Sequence, residues 1–249
     1  VGLRAAVAYR GGLAMLGGGR NETVGVWLVS GSQAQRLSTR AVDKTLAGYS
    51  EDALAGAVLE TMSSLGRDLL LVHLPDSTLV FDAEATAAAS KPIWTALSTS
   101  ASGSGPYRVR DIVRAGGEWL CADTQTATYG RLSDEVGEHW GAPVAWRLET
   151  PIIYGGGRGV VVNRLELQVI TGRADVGDDP VVWASHSTDG QRWSGERSVR
   201  VGRAGEANHR LVWWRQGIFW TRRIQRFRGH SDSRLSLLRL EADMEALSV

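Results

Sequence analysis

Three aspartates, Asp175, Asp178 and Asp179, share a loop with Gly172 and Gly177, a grouping loosely like a calcium-binding loop. The regular ligand spacing and closing glutamate of an EF-hand are missing, so the loop reads as a solvated turn. The five histidines (73, 139, 186, 209 and 230) show no His-x-x-x-His spacing. Cys121 is the only cysteine, so neither a Cys-x-x-Cys metal site nor an intrachain disulfide is available. Gly-Gly-Gly-Arg occurs at Gly17 to Arg20 and at Gly155 to Arg158, but no Gly-Lys-Ser/Thr follows either run. No Gly-x-Ser-x-Gly nucleophile elbow is present. The sequence therefore nominates no catalytic, cofactor-binding or metal-ligating residue.

The segment Ser187-Thr188-Asp189-Gly190-Gln191-Arg192-Trp193 has a different chemistry. It resembles the Asp-box turn of sialidase-like propellers, shortened by one residue. An Asp side chain can accept backbone N–H groups in such a turn, and Gly190 can take a positive φ. Trp193 can fold back over the hairpin. Ser187, Asp189, Gly190 and Trp193 are thus read as a structural turn rather than a catalytic one.

The segment from Arg210 to Arg228 interleaves Trp213, Trp214, Phe219, Trp220 and Phe227 with Arg215, Arg222, Arg223, Arg226 and Arg228. It reads as a hairpin around Gln216-Gly217, from Leu211–Arg215 to Ile218–Arg228. A basic-aromatic surface can bind nucleic acid. A hairpin can instead bury its aromatics and line its edge with arginine. Trp and Arg are also the favoured anchors of protein interfaces. Arg210, Trp213, Trp214, Arg215, Trp220, Arg222, Arg223 and Arg226 are the candidate assembly interface.

What must position these residues is a sheet. The chain has 249 residues and a net charge of +1, so its overall field gives no case for DNA or anionic membranes. The charge is uneven: from Arg200 to Arg239, ten arginines stand against only Glu206 and Asp232. Lys occurs only at positions 44 and 91. Arg suits interfaces better than Lys, although a GC-rich genome would give the same bias. No apolar run reaches membrane-spanning length, and no signal peptide pattern opens the chain. The chain starts at Val1, not Met, in the middle of a strand-like run, so a first part of the gene product is expected to be missing or cleaved.

Short apolar runs alternate with turn signals. One set comprises Leu3–Tyr9, Leu13–Leu16, Val24–Val29 and Gln35–Ser38. A second comprises Ala53–Met62, Leu69–Leu74, Thr78–Phe81 and Ile93–Leu97. A third comprises Tyr107–Val113, Trp119–Ala122, Ala127–Leu132 and Val144–Arg147. Each set has an early Gly turn, at Gly11-Gly12, Gly66-Arg67 and Gly116-Gly117, and the turns recur at about the spacing of four-stranded propeller blades. At most one or two short helices are expected. Glu51–Ser63 fits a helix or a strand, and the tail Leu235–Leu247 is read as room for one short helix. The expectation is an all-β, propeller-like fold with four-stranded blades over 1–150. Residues 151–249 have longer strands, as in Val160–Ile170, and form either a last large blade or a small β-sandwich.

The closing order of parts resembles the packaged-DNA stabilisation, or tail-hub, proteins of short-tailed bacteriophages. The matching pieces are Pro180-Val181-Val182, Ser187 to Trp193, Gly202-Arg203-Ala204-Gly205, and Arg210-Leu211-Val212-Trp213 leading to Gly217. Upstream, Arg36 to Thr39, Gly66 to Pro75, Leu79 to Asp82, Trp94, Asp123 and Tyr129 to Leu132 follow the family in order. Phe81 replaces the family's usual Tyr, and Ala122-Asp123 replaces Gly-Asp.

The resemblance implies a non-enzymatic virion protein without cofactors, assembled in the host cytoplasm into the tail. It implies a homo-oligomeric ring, expected as a hexamer, below the portal and its adaptor protein. That ring would extend the channel for double-stranded DNA, retain the packaged genome and hold tail fibre, spike or needle proteins. The rival reading is a carbohydrate-binding or sialidase-like β-propeller, suggested by Ser187 to Trp193.

Overall fold

The computed structural model describes residues 2–19, 22–103, 105–231 and 235–247. Half of the chain is strand and 8% is helix, so the fold is all-β. The chain divides into two compact units, Val1–Thr99 with Ser104–Ser133, and Ser100–Gly103 with Asp134–Val249.

The first unit opens with β1 (Ala6–Tyr9), β2 (Gly12–Gly17), β3 (Gly25–Ser30) and β4 (Gln33–Arg36), a four-stranded antiparallel meander. Helices α1 (Arg40–Leu46) and α2 (Glu51–Ala55) lead to the second sheet. This contains β5 (Val58–Ser64), β6 (Arg67–His73), β7 (Thr78–Asp82) and β8 (Trp94–Leu97), with α3 (Ala83–Ala89) inserted before its last strand. The third sheet has β9 (Val109–Ala115), β10 (Glu118–Asp123) and β11 (Tyr129–Leu132). Sequential strands pair throughout, as in propeller blades.

The same turn joins the first two strands of each sheet. Arg10 and Gly11 have φ of 47° and 76°, Leu65 and Gly66 51° and 73°, and Gly116 and Gly117 60° and 87°. Two successive positive φ values define a type I′ turn, whose twist matches that of the paired strands. Tyr9, Leu16, Val26, Leu46, Leu70, Val72 and Phe81 form the core of this unit. Each such side chain stabilises by about 1.5–3 kcal/mol when fully buried. Polar groups tie neighbouring sheets together. Glu60 Oε1 accepts the Asp111 N–H at 2.8 Å, and its Oε2 lies 3.0 Å from His73 Nε2. Trp94 Nε1 donates to Leu37 O at 3.0 Å.

The second unit begins with β12 (Glu138–His139) and β13 (Ala142–Pro143). It then has β14 (Ala145–Glu149), β15 (Ile153–Tyr154), β16 (Val160–Ile170), β17 (Val181–Ser187) and β18 (Arg197–Arg200). The last strands are β19 (Leu211–Trp214), β20 (Ile218–Phe219), β21 (Arg222–His230) and β22 (Ser236–Ala246). One sheet runs β14-β21-β17-β18, with β15 also on β21. The other is centred on β16, with β19 and β20 on one side and β22 on the other. Trp213, Phe219, Phe227, Leu165, Leu167 and Leu211 build its core. Trp213 and Phe227 ring centres lie 5.3 Å apart.

Several expectations are corrected. Three short helices are present among the described residues, not one or two. The third sheet has three strands, and Val144–Arg147 contributes to β14 of the second unit, paired with β21. The tail is strand, not helix: β22 lies along nearly the whole of β16, and that pairing outweighs local helix propensity. Glu51–Ser63 is divided, a short helix to Ala55 followed by strand from Val58. The segment Leu211–Arg228 is no hairpin. Both β19 and β20 pair with β16, with Arg215 (φ 54°) and Gly217 (φ 83°) kinking the chain between them, and β21 then crosses to the other sheet.

Candidate functional site

The turn after β17 is built around one carboxylate. Asp189 Oδ1 accepts the N–H groups of Gln191 and Arg192, both at 2.8 Å. Ser187 Oγ accepts the Gly190 N–H at 2.9 Å and donates to Asp189 Oδ1 at 3.0 Å. Gly190 has φ of 80°, which a side chain would strain. These hydrogen bonds hold the Asp189 carboxyl below the usual carboxylate range, the Arg192 N–H contributing most. Asp189 closes the loop and is thereby engaged by its own backbone.

Strand β21 alternates sharply. Arg223, Gln225, Phe227 and Gly229 point inward and are buried. The Arg223 side chain is nearly inaccessible, at 1% exposure, and no carboxylate pairs with it among the described residues. Its Nη1 donates to Gln216 O at 2.7 Å, at the kink of the opposite sheet, and its Nη2 donates to Gln225 Oε1 at 2.8 Å. Gln225 Nε2 in turn donates to Ser185 O at 2.8 Å. A polar bridge thus joins the two sheets through an otherwise apolar interior. Burial pulls the Arg223 pKa down to about 10. Burial, with the Arg223 charge behind it, also lowers that of His186.

Two outward residues of β21 are arginines laid on aromatics. Arg226 stacks on Trp193 and pairs with Glu149. Arg228 lies over Trp183, 4.8 Å from its ring centre, and forms a two-pronged pair with Glu196. On the other sheet, Arg210 grips Glu166 with Nε at 2.7 Å and Nη2 at 2.5 Å. Those guanidinium bonds hold the Glu166 and Glu196 carboxyls low. In the Gly172–Gly177 region, the Asp178 N–H donates to Asp175 O at 3.0 Å. Asp179 takes Arg200 and Arg203 as partners.

The candidate interface residues therefore separate into three kinds. Trp213 and Arg223 are core groups, each 1% exposed. Arg210 and Arg226 are spent on Glu166 and Glu149 of their own chain. Trp214, Arg215, Trp220 and Arg222 are exposed; the first three lie with Ile218 in or beside β19 and β20, and Arg222 opens β21. Trp214 and Trp220 are 57% and 62% exposed. Arg222 Nε reaches Thr188 O at 2.9 Å. The glutamate partners were missed in the sequence because each lies 32 to 77 residues from its arginine. Among the described residues no group of three His, Cys, Asp or Glu side chains is placed to hold a metal ion. None of their helices is long and apolar enough to cross a membrane.

Residues 1–137 match the family described as Bacteriophage P22 Gp10, beta-propeller. Residues 145–245 match that described as Bacteriophage P22 Gp10, beta-sandwich. The chain is 26% identical over 192 residues to the tail hub protein gp10 of Salmonella phage P22, covering 77% of this chain and 39% of that relative. Among solved structures, an exo-beta-1,3-galactanase from Phanerochaete chrysosporium shows 12% identity over 96% of this chain and 55% of its own, with a TM-score of 0.19. An arabinoxylan arabinofuranohydrolase from Bacillus subtilis shows 10% identity over 97% and 53%, with a TM-score of 0.20. At these scores the chain paths do not superpose, and neither hydrolase bears on chemistry here. With its two parts matched in order by the propeller and sandwich descriptions, the chain belongs to the P22 Gp10 family of phage tail-hub proteins.

Proposed function

We propose that this chain is a non-enzymatic structural subunit of a short-tailed phage tail. It forms a ring, a hexamer, below the portal and its adaptor, through which double-stranded DNA passes. The ring retains the packaged genome and anchors fibre, spike or needle proteins. The observation that supports this best is the ordered match of both units to one phage tail-hub family. The chain spans 39% of the length of its curated relative, so these partners are proposed for the part of the assembly that this segment builds. The architecture suits the role: function rests on shape and interfaces, with ion pairs and buried polar bridges stiffening each unit.

The sialidase-like alternative gains no support from the turn that suggested it, since Asp189 is engaged by its own loop. The test is a phage carrying an early stop codon in this coding sequence, imaged as purified particles. The expected result is DNA-filled heads that lack tail density below the portal adaptor and lose DNA on storage. Complete tails without the chain would overturn the reading, as would release of sugar from a glycan by the purified protein.

A further inference from the structure

The sheet centred on β16 has margins of opposite charge. On one margin stand Trp214, Arg215, Ile218 and Trp220, all exposed, and just beyond them along the chain exposed Arg222 opens β21 of the other sheet. Neither Arg215 nor Arg222 has a carboxylate partner among the described residues, whereas Arg210, Arg226 and Arg228 each have one. On the other margin, β22 carries Asp243 and Glu245, which are exposed and have no cation partner among the described residues.

Register places these groups in shared rows. Trp214 and Asp243 flank Arg164, while Ile218 and Glu245 flank Val161. Two strand spacings, about 10 Å, separate the margins. That is about a Debye length at physiological salt, so the two margins barely neutralise one another.

The margins also differ in their backbones. Arg197 Nη1 donates to Trp214 O at 2.7 Å and to Arg215 O at 3.3 Å, so the basic margin is capped. Strand β22 pairs with β16 alone, and its outer edge is open along eleven residues among the described chain. A long open edge is a liability unless something covers it. Met244, 43% exposed, adds apolar surface there.

We propose that the occupant of each margin is the opposite margin of a second copy of this chain. The Asp243–Glu245 edge of one copy docks on the Trp214–Trp220 margin of the next, with Arg222 just beyond it along the chain as a further cation. Charge selects this arrangement over the symmetric ones. Pairing β22 with β22 would oppose acid to acid, and pairing the basic margins would oppose arginine to arginine. A head-to-tail contact between unlike surfaces repeats, and it closes into a ring when the rotation allows. The proposal deepens the tail-subunit reading and rests on it for its biological setting.

The experiment is sedimentation velocity on the 249-residue chain, from about 1 to about 100 μM at low and high salt. Wild type is expected to associate, more weakly at high salt. Asp243→Arg with Glu245→Arg, and separately Arg215→Glu with Arg222→Glu, should each weaken association by about tenfold or more. Mixing the two reversed proteins should restore it, because the swapped charges meet again. Circular dichroism and the melting midpoint check folding; if a reversal unfolds the chain, the neutral pairs Asp243→Asn with Glu245→Gln and Arg215→Gln with Arg222→Gln replace it. A wild type that stays monomeric, reversals without effect, or a mixture that does not recover would each overturn the proposal. So would loss of duplex DNA binding in the arginine variant with self-association unchanged. Incorporation into particles is scored separately. Reversed variants that still enter tails sink this interface and leave the tail reading standing, whereas wild type absent from tails sinks the tail reading whatever sedimentation shows.

Discussion

The Arg226 guanidinium carbon lies 3.3 Å from the centre of the Trp193 ring, and Arg226 Nη2 lies 2.8 Å from Glu149 Oε1. The loop after β17 is therefore clamped to β21 by its final residue. Arg226→Ala, Trp193→Ala and the double variant should form a cycle with a coupling of about 1 kcal/mol in urea denaturation. Strictly additive losses would show that the stacking does not hold the loop.

Arg223 poses a balance of opposing terms. Its pKa is pulled down to about 10, a charge-burial cost on the order of 3 kcal/mol. Its bonds to Gln216 O and Gln225 Oε1 offset that, since each orphaned buried acceptor costs about 1–3 kcal/mol. Arg223→Met should thus stay within about 2 kcal/mol of wild type. Arg223→Ala opens a cavity as well and should lose about 2–4 kcal/mol more. Equal melting of the two variants would refute this account.

Acid should unfold the protein by a predictable route. Asp123, Glu166, Asp179, Asp189 and Glu196 all have folded pKa values below their ordinary ones, chiefly through bonds from Arg108, Arg210, Arg200, backbone N–H groups and Arg228 in turn. Unfolded carboxylates take up protons first, so their stabilisation is present at neutral pH. It is lost as pH falls below about 4 towards the folded values. Chemical denaturation midpoints from pH 7 to pH 2.5 should be level at first and then fall. A midpoint that holds or rises below pH 4 contradicts the sign.

Leu65 pays for its turn. It holds φ of 51° while 68% exposed, so it has strain and little burial to offset it. Leu65→Asn should stabilise by about 0.5–1 kcal/mol, because Asn tolerates the left-handed region. Gly66→Ala, at φ 73°, should destabilise by about 1 kcal/mol. Thermal melts of the two variants that move in the same direction would rule out the type I′ explanation.

These residues also show what a sequence can and cannot disclose. Gly66 and Gly117 marked their turns because a positive φ selects glycine. Leu165 and Leu167 marked β16 because alternation survives a bulge at Asn163. Helix α1 went unseen, since its seven residues leave little periodicity and its cap is the single hydroxyl of Thr39. The kink at Arg215–Gly217 looked like a hairpin because a bulge and a turn both ask for positive φ. Arg223 was legible as an arginine but not as a core residue, because its burial depends on the Gln216 carbonyl at the kink and on Gln225, itself tied to Ser185 of a distant strand. The exposed margin at Trp214 was visible in composition, whereas its acidic counterpart on β22 was hidden by the expectation of a helix.

The pairing of β16 with β22 sets the order in which the protein can be made. Each sheet of the first unit pairs strands that are neighbours in sequence, its first two joined by a two-residue turn, so it can form as it leaves the ribosome. The second unit cannot. Val160 finds its partner at Ala246 and Ala145 at His230, so both sheets wait for late segments of the nascent chain. Until Ser236–Ala246 emerges, one flank of β16 stays bare, and that is when crowded nascent chains can cross-pair. Nascent blades that are already folded would keep this vulnerable interval confined to the second unit.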